Sequence, residues 1–346
     1  MSGKVTLADI AKSLGVSKTL VSLVINGKGD AHGIRKETQE KVLEKIREMN
    51  YEPNVLARGF RMGITNTIGL IVSDISNRFY ARIARNIEDF AWNHGYNVVI
   101  CSTDEIIEKE KEQIRFLKER KVDGMIISTS QENSSFFDEL AASGLPHVLI
   151  DRTFKGMKSA NVSVDNVGGA RMAARHLLKQ GIRKFSVVAI SPDHISTIND
   201  RIMGFEKTLM EAGIKIPPKW LIRAPFDKID EVVRVKLQSF YQEGDIPEAM
   251  FTLNNNLTST CLKYLAKLSV SIPDEVAIIG FDDVFYFGFT KPSVSVIKQP
   301  IDLISEQAFK LLLKQINKES IAKKHHSVVL PVDIIIRESS IKPSKS

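Results

Sequence analysis

Across residues 18–23 the sequence places hydrogen-bonding and apolar side chains around a valine that suits a small protein core. If residues 18–26 form a helix with Val21 and Val24 turned inward, its outward side carries five candidate contact residues: Lys18, Thr19, Leu20, Ser22 and Leu23. An ammonium group can donate to guanine acceptors or phosphates, a hydroxyl can bond either partner, and leucine can contact a thymine methyl group. This combination favours the reading of base edges in a DNA major groove. The alternative is a pair of helices that serves only for packing.

Acidic and histidine pairs elsewhere in the chain suit binding better than catalysis. Asp282 and Asp283 follow a strand-like run, so their side chains alternate in direction and suit hydrogen bonding of hydroxyl groups rather than a shared acid and base role. His325 and His326 precede another strand-like run, where a solvated surface pair is favoured over a metal site. A GxGxxG motif, a glycine-rich phosphate loop and a GxSxG elbow are all missing from the sequence. We therefore expect no enzyme, no cofactor and no metal.

Two short helices joined by a turn must position the candidate contact residues. Thr6 is a good N-cap with which Asp9 completes a capping box, while Gly15 ends the first helix and Ser17 caps the second. Apolar residues at helical spacing mark the inward face of the first helix: Leu7, Ile10, Ala11 and Leu14. The pattern is typical of a helix-turn-helix.

A third helix and a short fourth helix are predicted next. A polar loop at residues 27–35 leads into a helix at residues 36–50. Three apolar residues of that helix would close the small core: Val42, Ile46 and Met49. Pro53 suits the first turn of a further helix at residues 54–61, which is too short to hold alone in water and should form only when docked. Residues 63–66 suit a linker.

From Thr67 the chain alternates short apolar strands with longer helices in two similar series. The strand-like runs are TIGLIV, NVVIC, GMIIS and HVLID, then from about Val162 FSVVAI, AMFTL and VAIIGF, and finally SVVLP and VDIII. The predicted helices lie at about 79–94, 107–120, 200–212, 229–242, up to 268, and 301–317. This alternation predicts parallel sheets covered by helices. Two series predict two lobes, with a ligand cleft at the carboxyl ends of their strands.

The overall composition is that of a soluble globular protein with a basic end. The 346 residues are 43% hydrophobic and 26% charged, with a formal charge of +7. Residues 1–63 hold eleven Lys or Arg against seven Asp or Glu, which suits a polyanionic partner, although an ordinary solvated surface can have the same balance. A membrane-spanning run and a signal-peptide core are both missing, so we expect a cytoplasmic protein. Cys101 and Cys261 are expected to be buried free thiols.

Motifs spread over nearly the whole chain belong together as one ordered series. They are VTLADIAKSLGVS, VSLVIN, Tyr51-Glu52-Pro53-Asn54 with Ala57-Arg58, IGLIV, Asp165-Asn166 with Gly168-Gly169 and His176-Leu177, Gly280-Phe281-Asp282-Asp283, and Ile297-Lys298-Gln299-Pro300. In this order the sequence resembles the lactose repressor (LacI) family of bacterial transcription regulators. The resemblance implies an N-terminal all-α helix-turn-helix domain with a hinge helix. It also implies a doubly wound α/β core of two lobes with parallel sheets, like that of periplasmic binding proteins.

The resemblance and the alternation together predict the domain limits. The predicted domains are a helix-turn-helix at 1–50, a hinge helix and linker at 51–66, an effector-binding and dimerisation core at 67–340, and a tail at 341–346. The core is predicted to divide into lobe 1 at about 67–162 and 297–322 and lobe 2 at about 163–293 and 325–340. The tail has no heptad pattern, which predicts a homodimer through the core rather than a coiled-coil tetramer.

The resemblance implies DNA contacts in the helical head and in the hinge. They are Thr6, Ser17, Lys18, Thr19, Leu20, Ser22, Leu23, Asn26, Asn54, Ala57, Arg58, Phe60 and Arg61. Leu23 takes a base-reading position where many members have arginine, so the operator sequence cannot be inherited from them. Residues 27–35 form a loop about three residues longer than in better-known members. Phe60 stands where the family inserts a leucine into the minor groove; phenylalanine can also bend DNA as a wedge, and the alternative is that it only packs in the hinge.

The resemblance also implies effector contacts in the cleft. They are Asp151, Arg201, Asn254, Asp282 and Gln299, with Arg78, Phe79, Tyr80 and Phe226 in the pocket wall. Carboxylates and amides suit sugar hydroxyls, and aromatic faces suit the C–H surface of a sugar ring. Arg78 stands where proline is common and Asn255 replaces a frequent aspartate, which suggests a more positive cleft and an anionic effector, such as a sugar acid or sugar phosphate. The alternative is that Arg78 points to solvent or pairs with a carboxylate.

These inferences predict a sequence-specific DNA-binding transcriptional regulator that works as a homodimer on a pseudo-palindromic operator. The family's commonest use implies repression of carbohydrate-utilisation genes. A sugar-like effector would close the lobes differently and so change the stability of the hinge helices on DNA. Activation and corepression stay open. A periplasmic sugar-binding protein would need a signal peptide and no basic helical head, and an α/β enzyme would need the missing motifs.

Overall fold

The computed structural model describes residues 5–51, 64–154, 156–320 and 326–342. The chain divides into two units, Met1–Thr65 and Asn66–Ser346, which we call the head and the core. Each unit has a hydrophobic interior of its own. The predicted hinge helix at 54–61 lies outside the described residues.

The head contains the three helices that the sequence predicts. They are α1 (Leu7–Leu14), α2 (Lys18–Ile25) and α3 (Lys36–Glu48). Thr6 and Asp9 form the predicted capping box, Gly15 ends α1 with left-handed backbone at φ 64°, and Ser17 Oγ accepts a hydrogen bond from the Leu20 N–H at 3.1 Å. The buried core of the head follows the predicted helical spacing: Ile10, Ala11, Val21, Val24 and Val42.

Two six-stranded sheets organise the described part of the core, one in each lobe. The lobe 1 sheet contains β1 (Thr67–Val72), β2 (Asn97–Ser102), β3 (Gly124–Ile127), β4 (His147–Ile150), β5 (Ala160–Val164) and β11 (Ser327–Leu330). The lobe 2 sheet contains β6 (Phe185–Ser191), β7 (Leu221–Pro225), β8 (Ala249–Thr252), β9 (Ala277–Phe281), β10 (Ser295–Lys298) and β12 (Asp333–Ile335). The strand orders are β11-β5-β4-β3-β1-β2 and β12-β10-β9-β8-β6-β7. All pairs are parallel except β10 with β12.

Helices cover the sheets, as the alternation predicts. In the described core they are α4 (Arg78–Asn93), α5 (Ile107–Glu119), α6 (Ser135–Ala142), α7 (Asn166–Lys179), α8 (Ser196–Glu211), α9 (Ile229–Gln242), α10 (Asn255–Lys267) and α11 (Ile301–Ile316). Helix α11 packs in lobe 1, where Phe309 stacks with Phe90 of α4 at 6.1 Å between ring centroids. Helix α8 begins at Ser196, earlier than predicted. No side chain caps its first turn, so the sequence contains no local signal for its start. Strand β7 was not predicted, since it is a partly exposed edge strand that carries Arg223 and ends at a proline.

The described chain crosses between the lobes after β5, after β10 and between β11 and β12. Two predicted lobe limits were therefore wrong. Strand β10 belongs to lobe 2 up to Lys298, and strand β11 belongs to lobe 1 with Val328 opposite Val162. Strand β5 ends at Val164, close to the predicted limit of about 162. Short apolar runs do not show which sheet they join, because pairing is set by contacts between distant parts of the chain.

The two cysteines are free thiols, and one of them is less buried than predicted. Cys261 is buried on α10, and burial raises the pKa of its thiol. Cys101 is only half-buried, because β2 is the edge strand of its sheet. In the described residues, no helix is both long and apolar enough to cross a bilayer.

Candidate DNA-reading helix and effector cleft

Helix α2 presents much of the predicted DNA-reading surface. Four candidate contacts are exposed or partly exposed on it: Lys18, Thr19, Ser22 and Leu23. Leu20 instead packs against the head core, because it lies one turn before the buried Val24. Leu23 is therefore the apolar side chain of α2 that best fits contact with a thymine methyl group.

The other candidate DNA contacts in the head have structural partners. Thr6 Oγ1 donates to Asp9 Oδ2 at 2.7 Å, and Ser17 caps α2. Asn26 Nδ2 donates to the Ser22 carbonyl at 2.6 Å, which folds the amide back onto its own helix. Five hinge candidates lie outside the described residues: Asn54, Ala57, Arg58, Phe60 and Arg61.

In the core, the carboxyl ends of strands from both lobes face one cleft. About 490 Å³ of space lies between its walls, including the open mouth. Eight of the nine predicted effector contacts line it: Phe79, Tyr80, Asp151, Arg201, Phe226, Asn254, Asp282 and Gln299. The predicted contacts from both lobes therefore converge on one site.

On the lobe 1 side, Tyr80 and Asp151 form the floor of the cleft. The Tyr80 hydroxyl donates to Asp151 Oδ2 at 2.9 Å and lies 3.0 Å from Ser128 Oγ. Tyr80 lies in the first turn of α4, and Asp151 directly follows β4 with left-handed backbone at φ 66°. Burial, together with the Asp151 carboxylate, raises the pKa of Tyr80. The phenol therefore stays protonated and acts as a donor.

A buried ion pair beside Asp151 was not anticipated from the sequence. Arg152 donates from both terminal nitrogens to Glu105, at 2.6 and 2.5 Å, and the two side chains are only 6% and 5% exposed. Both line the cleft. Burial raises the pKa of the Glu105 carboxyl, but Arg152 outweighs burial and holds it below its ordinary value. The sequence could have identified Arg152 as a lining residue, because it directly follows Asp151. It could not have identified Glu105, which lies in a loop far away in the sequence.

On the lobe 2 side, Arg201 is fixed by several contacts. Its Nε donates to Asn166 Oδ1 at 2.8 Å, and its Nη1 donates to the Leu253 carbonyl at 2.6 Å. The guanidinium carbon lies 3.6 Å from the centroid of the Phe281 ring. Burial lowers the pKa of Arg201, although Asp282 and Asp151 oppose that effect. The side chain is thus held in one orientation.

Asp282 and Gln299 meet where the chain leaves lobe 2. Gln299 Nε2 donates to Asp282 Oδ1 at 2.6 Å, and both side chains are buried. Burial raises the pKa of Asp282, partly offset by Arg201. Asp283 points the other way and binds Arg337 at 2.9 and 3.1 Å, so the predicted alternation of the two carboxylates is confirmed.

Arg78 does not line the cleft, contrary to the prediction. Its side chain is exposed, and its guanidinium carbon lies 5.9 Å from the centroid of the Phe285 ring. The next two residues of α4 occupy the inward side, which leaves the outward side to Arg78. Asn255 is buried beside Asn256 and is not in the lining. The charged residues of the lining are three carboxylates and two guanidinium groups: Glu105, Asp151, Asp282, Arg152 and Arg201. The cleft is therefore not the more positive one that was predicted.

Comparison with known proteins gives two matching families. The family described as "Bacterial regulatory proteins, lacI family" matches residues 6–54, and a "Periplasmic binding protein-like domain" matches residues 174–340. The ribose operon repressor of Halalkalibacterium halodurans is 32% identical over 335 residues, which are 97% of this chain and 97% of that protein.

Solved structures agree with this assignment. A LacI transcriptional regulator from Alkaliphilus metalliredigens, complexed with D-xylulofuranose, is 31% identical with a TM-score of 0.68 and covers 79% of this chain and 98% of its own. The lac repressor dimer bound to operator and an anti-inducer is 22% identical, has a TM-score of 0.81, and covers 97% of this chain and 99% of its own, so it has the same fold. The chain belongs to the lacI family of bacterial regulatory proteins, a family of DNA-binding transcriptional regulators.

Proposed function

We propose that the protein represses carbohydrate-utilisation genes as a homodimer on a pseudo-palindromic operator, and that an uncharged sugar bound in the cleft switches its affinity for DNA. The observation that carries the proposal is the lining of the cleft. Buried carboxylate, amide and guanidinium groups stand beside the aromatic faces of Phe79 and Phe226. Such a lining suits a small ring with several hydroxyl groups. The name of the ribose operon repressor and the D-xylulofuranose complex support a sugar of similar size.

The charge balance of the cleft favours a neutral effector. Arg152 is engaged by Glu105, and Arg201 is held by Asn166 and a backbone carbonyl. A ligand carboxylate or phosphate would enter next to Asp151 and Asp282 and lose its hydration, and of the two lining guanidinium groups Arg152 already has a carboxylate partner. Burying a charge without a new partner is costly. This argument replaces the hypothesis of a sugar acid or sugar phosphate.

The two lobes contact each other directly, and an effector that moves the lobes would change these contacts. The Thr153 N–H donates to Ser196 Oγ at 3.0 Å, and His194 Nε2 lies 3.0 Å from the Ser130 carbonyl oxygen. A sugar that touches both lobes would stabilise one angle between them over another. Because a ligand shifts an equilibrium only by its differential affinity, control of tens-fold requires about 2 kcal/mol.

The decisive experiment is a thermal-shift series with the purified protein. D-ribose, D-xylulose and cellobiose represent neutral sugars, and gluconate and ribose 5-phosphate represent anions. We expect a neutral sugar to raise the melting temperature, because binding to the folded state stabilises it. That sugar should then change the protein's affinity for a fluorescent operator selected from random duplexes. A shift with the anions alone would contradict the charge argument, and a shift that leaves operator affinity unchanged would contradict the switch.

A further inference from the structure

A groove lies between helices α5 and α6 on the surface of lobe 1, and we call it the α5–α6 groove. Two adjoining depressions form it, with about 690 and 770 Å³ of space including their open sides. They are continuous, because the same three residues line both: Lys111, Phe136 and Glu139. Neither α5 nor α6 contributes a residue to the lining of the effector cleft, so the groove is a separate feature.

The floor of the α5–α6 groove is apolar. Ile114 and Leu140 are only 2% and 5% exposed and belong to a small hydrophobic core of lobe 1. Phe136 packs against that core edge-on to Phe137, at 5.5 Å between ring centroids, and is itself only partly buried. Because the Phe136 ring is held in place and is still accessible, a partner can bury an apolar side chain against it at little cost in ordering.

One rim of the α5–α6 groove is basic. Lys111, Arg115 and Lys118 line it, each about one helical turn after the previous one on the same side of α5. Lys111 pairs with Glu108 at 2.7 Å. Arg115 and Lys118 are exposed, and no ion pair among the described residues includes either of them. Glu139 is the one acidic residue that lines this end of the groove, so the end carries a positive charge without a matching partner.

The other end of the α5–α6 groove is polar rather than basic. Four residues between β3 and α6, or at the start of α6, line it: Gln131, Glu132, Asn133 and Ser135. The positive charge is therefore confined to the end beside Arg115 and Lys118. A partner that matches the groove needs acidic groups at one end and an apolar face along its length.

We propose that the α5–α6 groove is a docking site for an amphipathic helix of a partner protein, whose acidic end meets Arg115 and Lys118. Helices that bind in grooves place apolar anchors on the floor, and opposite charges at the rim guide their approach and fix their direction. From Lys111 to Lys118 the rim is about 10 Å long, which is room for about two turns of the partner. A nucleic acid would contact the two cations but would leave the apolar floor in water. The site is independent of the effector cleft and of the operator contacts.

The test measures binding of the full-length protein to a fluorescein-labelled, hydrocarbon-stapled peptide by fluorescence anisotropy. The peptide has about 15 residues, because shorter helices are marginal in water. It carries leucines at helical spacing on one face and glutamates at one end. A scrambled peptide has the same composition and the same staple but no apolar face. We expect the ordered peptide to bind, and the scrambled peptide to bind about tenfold more weakly because its leucines stay in water.

Two double variants with matched charge changes locate the site. Arg115→Glu/Lys118→Glu reverses the basic end of the groove. Arg175→Glu/Lys207→Glu makes the same change on α7 and α8, where both side chains are exposed. We expect the groove variant to bind the ordered peptide about tenfold more weakly than the wild type does, since two attractions become repulsions. The control variant should bind like the wild type, and equal melting temperatures show that both variants are folded.

The remaining outcomes overturn the proposal. Failure of the ordered peptide to bind the wild type would show that the groove does not accept such a helix. Equal affinities for the two peptides would show that charge alone attracts them and that the apolar floor is not used. Equal losses in the two double variants would mean that the peptide binds elsewhere on the basic surface. Operator binding and the sugar-induced thermal shift are measured separately, so failure here is distinct from failure of the proposed function.

Discussion

The Tyr80 hydroxyl and the Asp151 carboxylate are joined by a buried hydrogen bond of 2.9 Å, which connects the start of α4 to the end of β4. This bond fixes the direction of a carboxylate at the floor of the cleft. It also leaves the second oxygen of Asp151 for a ligand hydroxyl. The position of this carboxylate in the lobe 1 wall therefore depends on the Tyr80 phenol and on the neighbouring Arg152.

We expect Tyr80→Phe to weaken the thermal shift produced by the neutral sugar and to destabilise the folded protein. The change removes the hydrogen bond to the buried Asp151 carboxylate and leaves only its longer ion-pair contact with Arg152 at 3.9 Å, which costs about 1–3 kcal/mol. Urea unfolding measures the stability, and the sugar-induced shift measures binding. Tyr241→Phe is the control, because Tyr241 is exposed. An unchanged sugar response in Tyr80→Phe would contradict the role given to this bond.

Arg201 should be required for the sugar response but not for DNA binding. Arg201→Lys keeps a positive charge but cannot reproduce both the bond to Asn166 and the bond to the Leu253 carbonyl. We expect the sugar-induced shift to disappear while affinity for random duplex stays near that of the wild type. Arg85→Lys, on the exposed side of α4, is the matched control. Parallel loss of sugar and DNA binding in a folded Arg201→Lys protein would contradict this division of roles.

The Glu105–Arg152 pair should make stability depend on pH in acid. Arg152 holds the folded pKa of Glu105 below its ordinary value of 4.5, so as the pH falls the unfolded chain takes up a proton first. The stabilisation is therefore complete above pH 4.5 and is lost as the pH falls through the folded pKa. Glu105→Gln should destabilise the protein at neutral pH, because it leaves Arg152 buried without its carboxylate.

Urea midpoints of wild type and variant, measured between about pH 7 and about pH 3, check this prediction. The difference between the two proteins should shrink as the pH falls below 4.5. Glu108→Gln, an exposed change on α5, should show no such trend. A difference that stays constant over the whole range would mean that the pair does not titrate as proposed.

Arg78 and Phe285 form a contact between the lobes. We expect this contact to contribute slightly to stability and to have no influence on the preference for a neutral or an anionic effector. Phe285 is 70% exposed, and exposed cation–π contacts contribute about 0.5–1 kcal/mol. A double-mutant cycle of Arg78→Ala and Phe285→Ala measures the coupling. The relative response to D-ribose and ribose 5-phosphate should be the same in Arg78→Ala and wild type. Selective loss of the phosphate response would restore the anionic hypothesis.

Lys18→Ala should weaken binding to the selected operator and leave the sugar-induced thermal shift unchanged. Each good contact with a base edge contributes about 1–3 kcal/mol of discrimination. Competition between the operator and random duplex, measured by fluorescence anisotropy, gives that discrimination directly. Lys12→Ala on α1 is the control for loss of one charge in the head. If both variants lose the same specificity, Lys18 does not read bases.

Much of the fold could be predicted because its signals are local. Thr6, Asp9, Gly15 and Ser17 act on neighbouring backbone, so their sequence alone places both helices of the head. Strand β1 and helix α9 have the predicted limits, since a continuous apolar run and a helical period mark them. The side on which Leu20 packs was missed, because α2 is short and its buried stripe is wide.

The rest depends on contacts between distant segments. Glu105 and Arg152 are 47 residues apart, and only the parallel pairing of strands brings their loops together. The choice of sheet for β11 is of the same kind, because its partner β5 lies more than half the core away in sequence. Resemblance to the family identified eight of the residues that line the cleft. It could not give the side-chain direction of Arg78, because this chain departs from the family at that position.

The three crossings between the lobes also restrict how the lobes can move. Two of them leave the lobe 1 sheet from the adjacent strands β5 and β11, and two of them join the lobe 2 sheet at the adjacent strands β10 and β12. A single connection would allow one lobe to rotate freely against the other. Neighbouring connections instead form a hinge that lets the lobes open and close but resists twisting. Gln299 lies on one of these crossings and contacts the cleft at the same time. If a sugar occupies the cleft, the opening angle between the lobes is therefore the main coordinate that it can change.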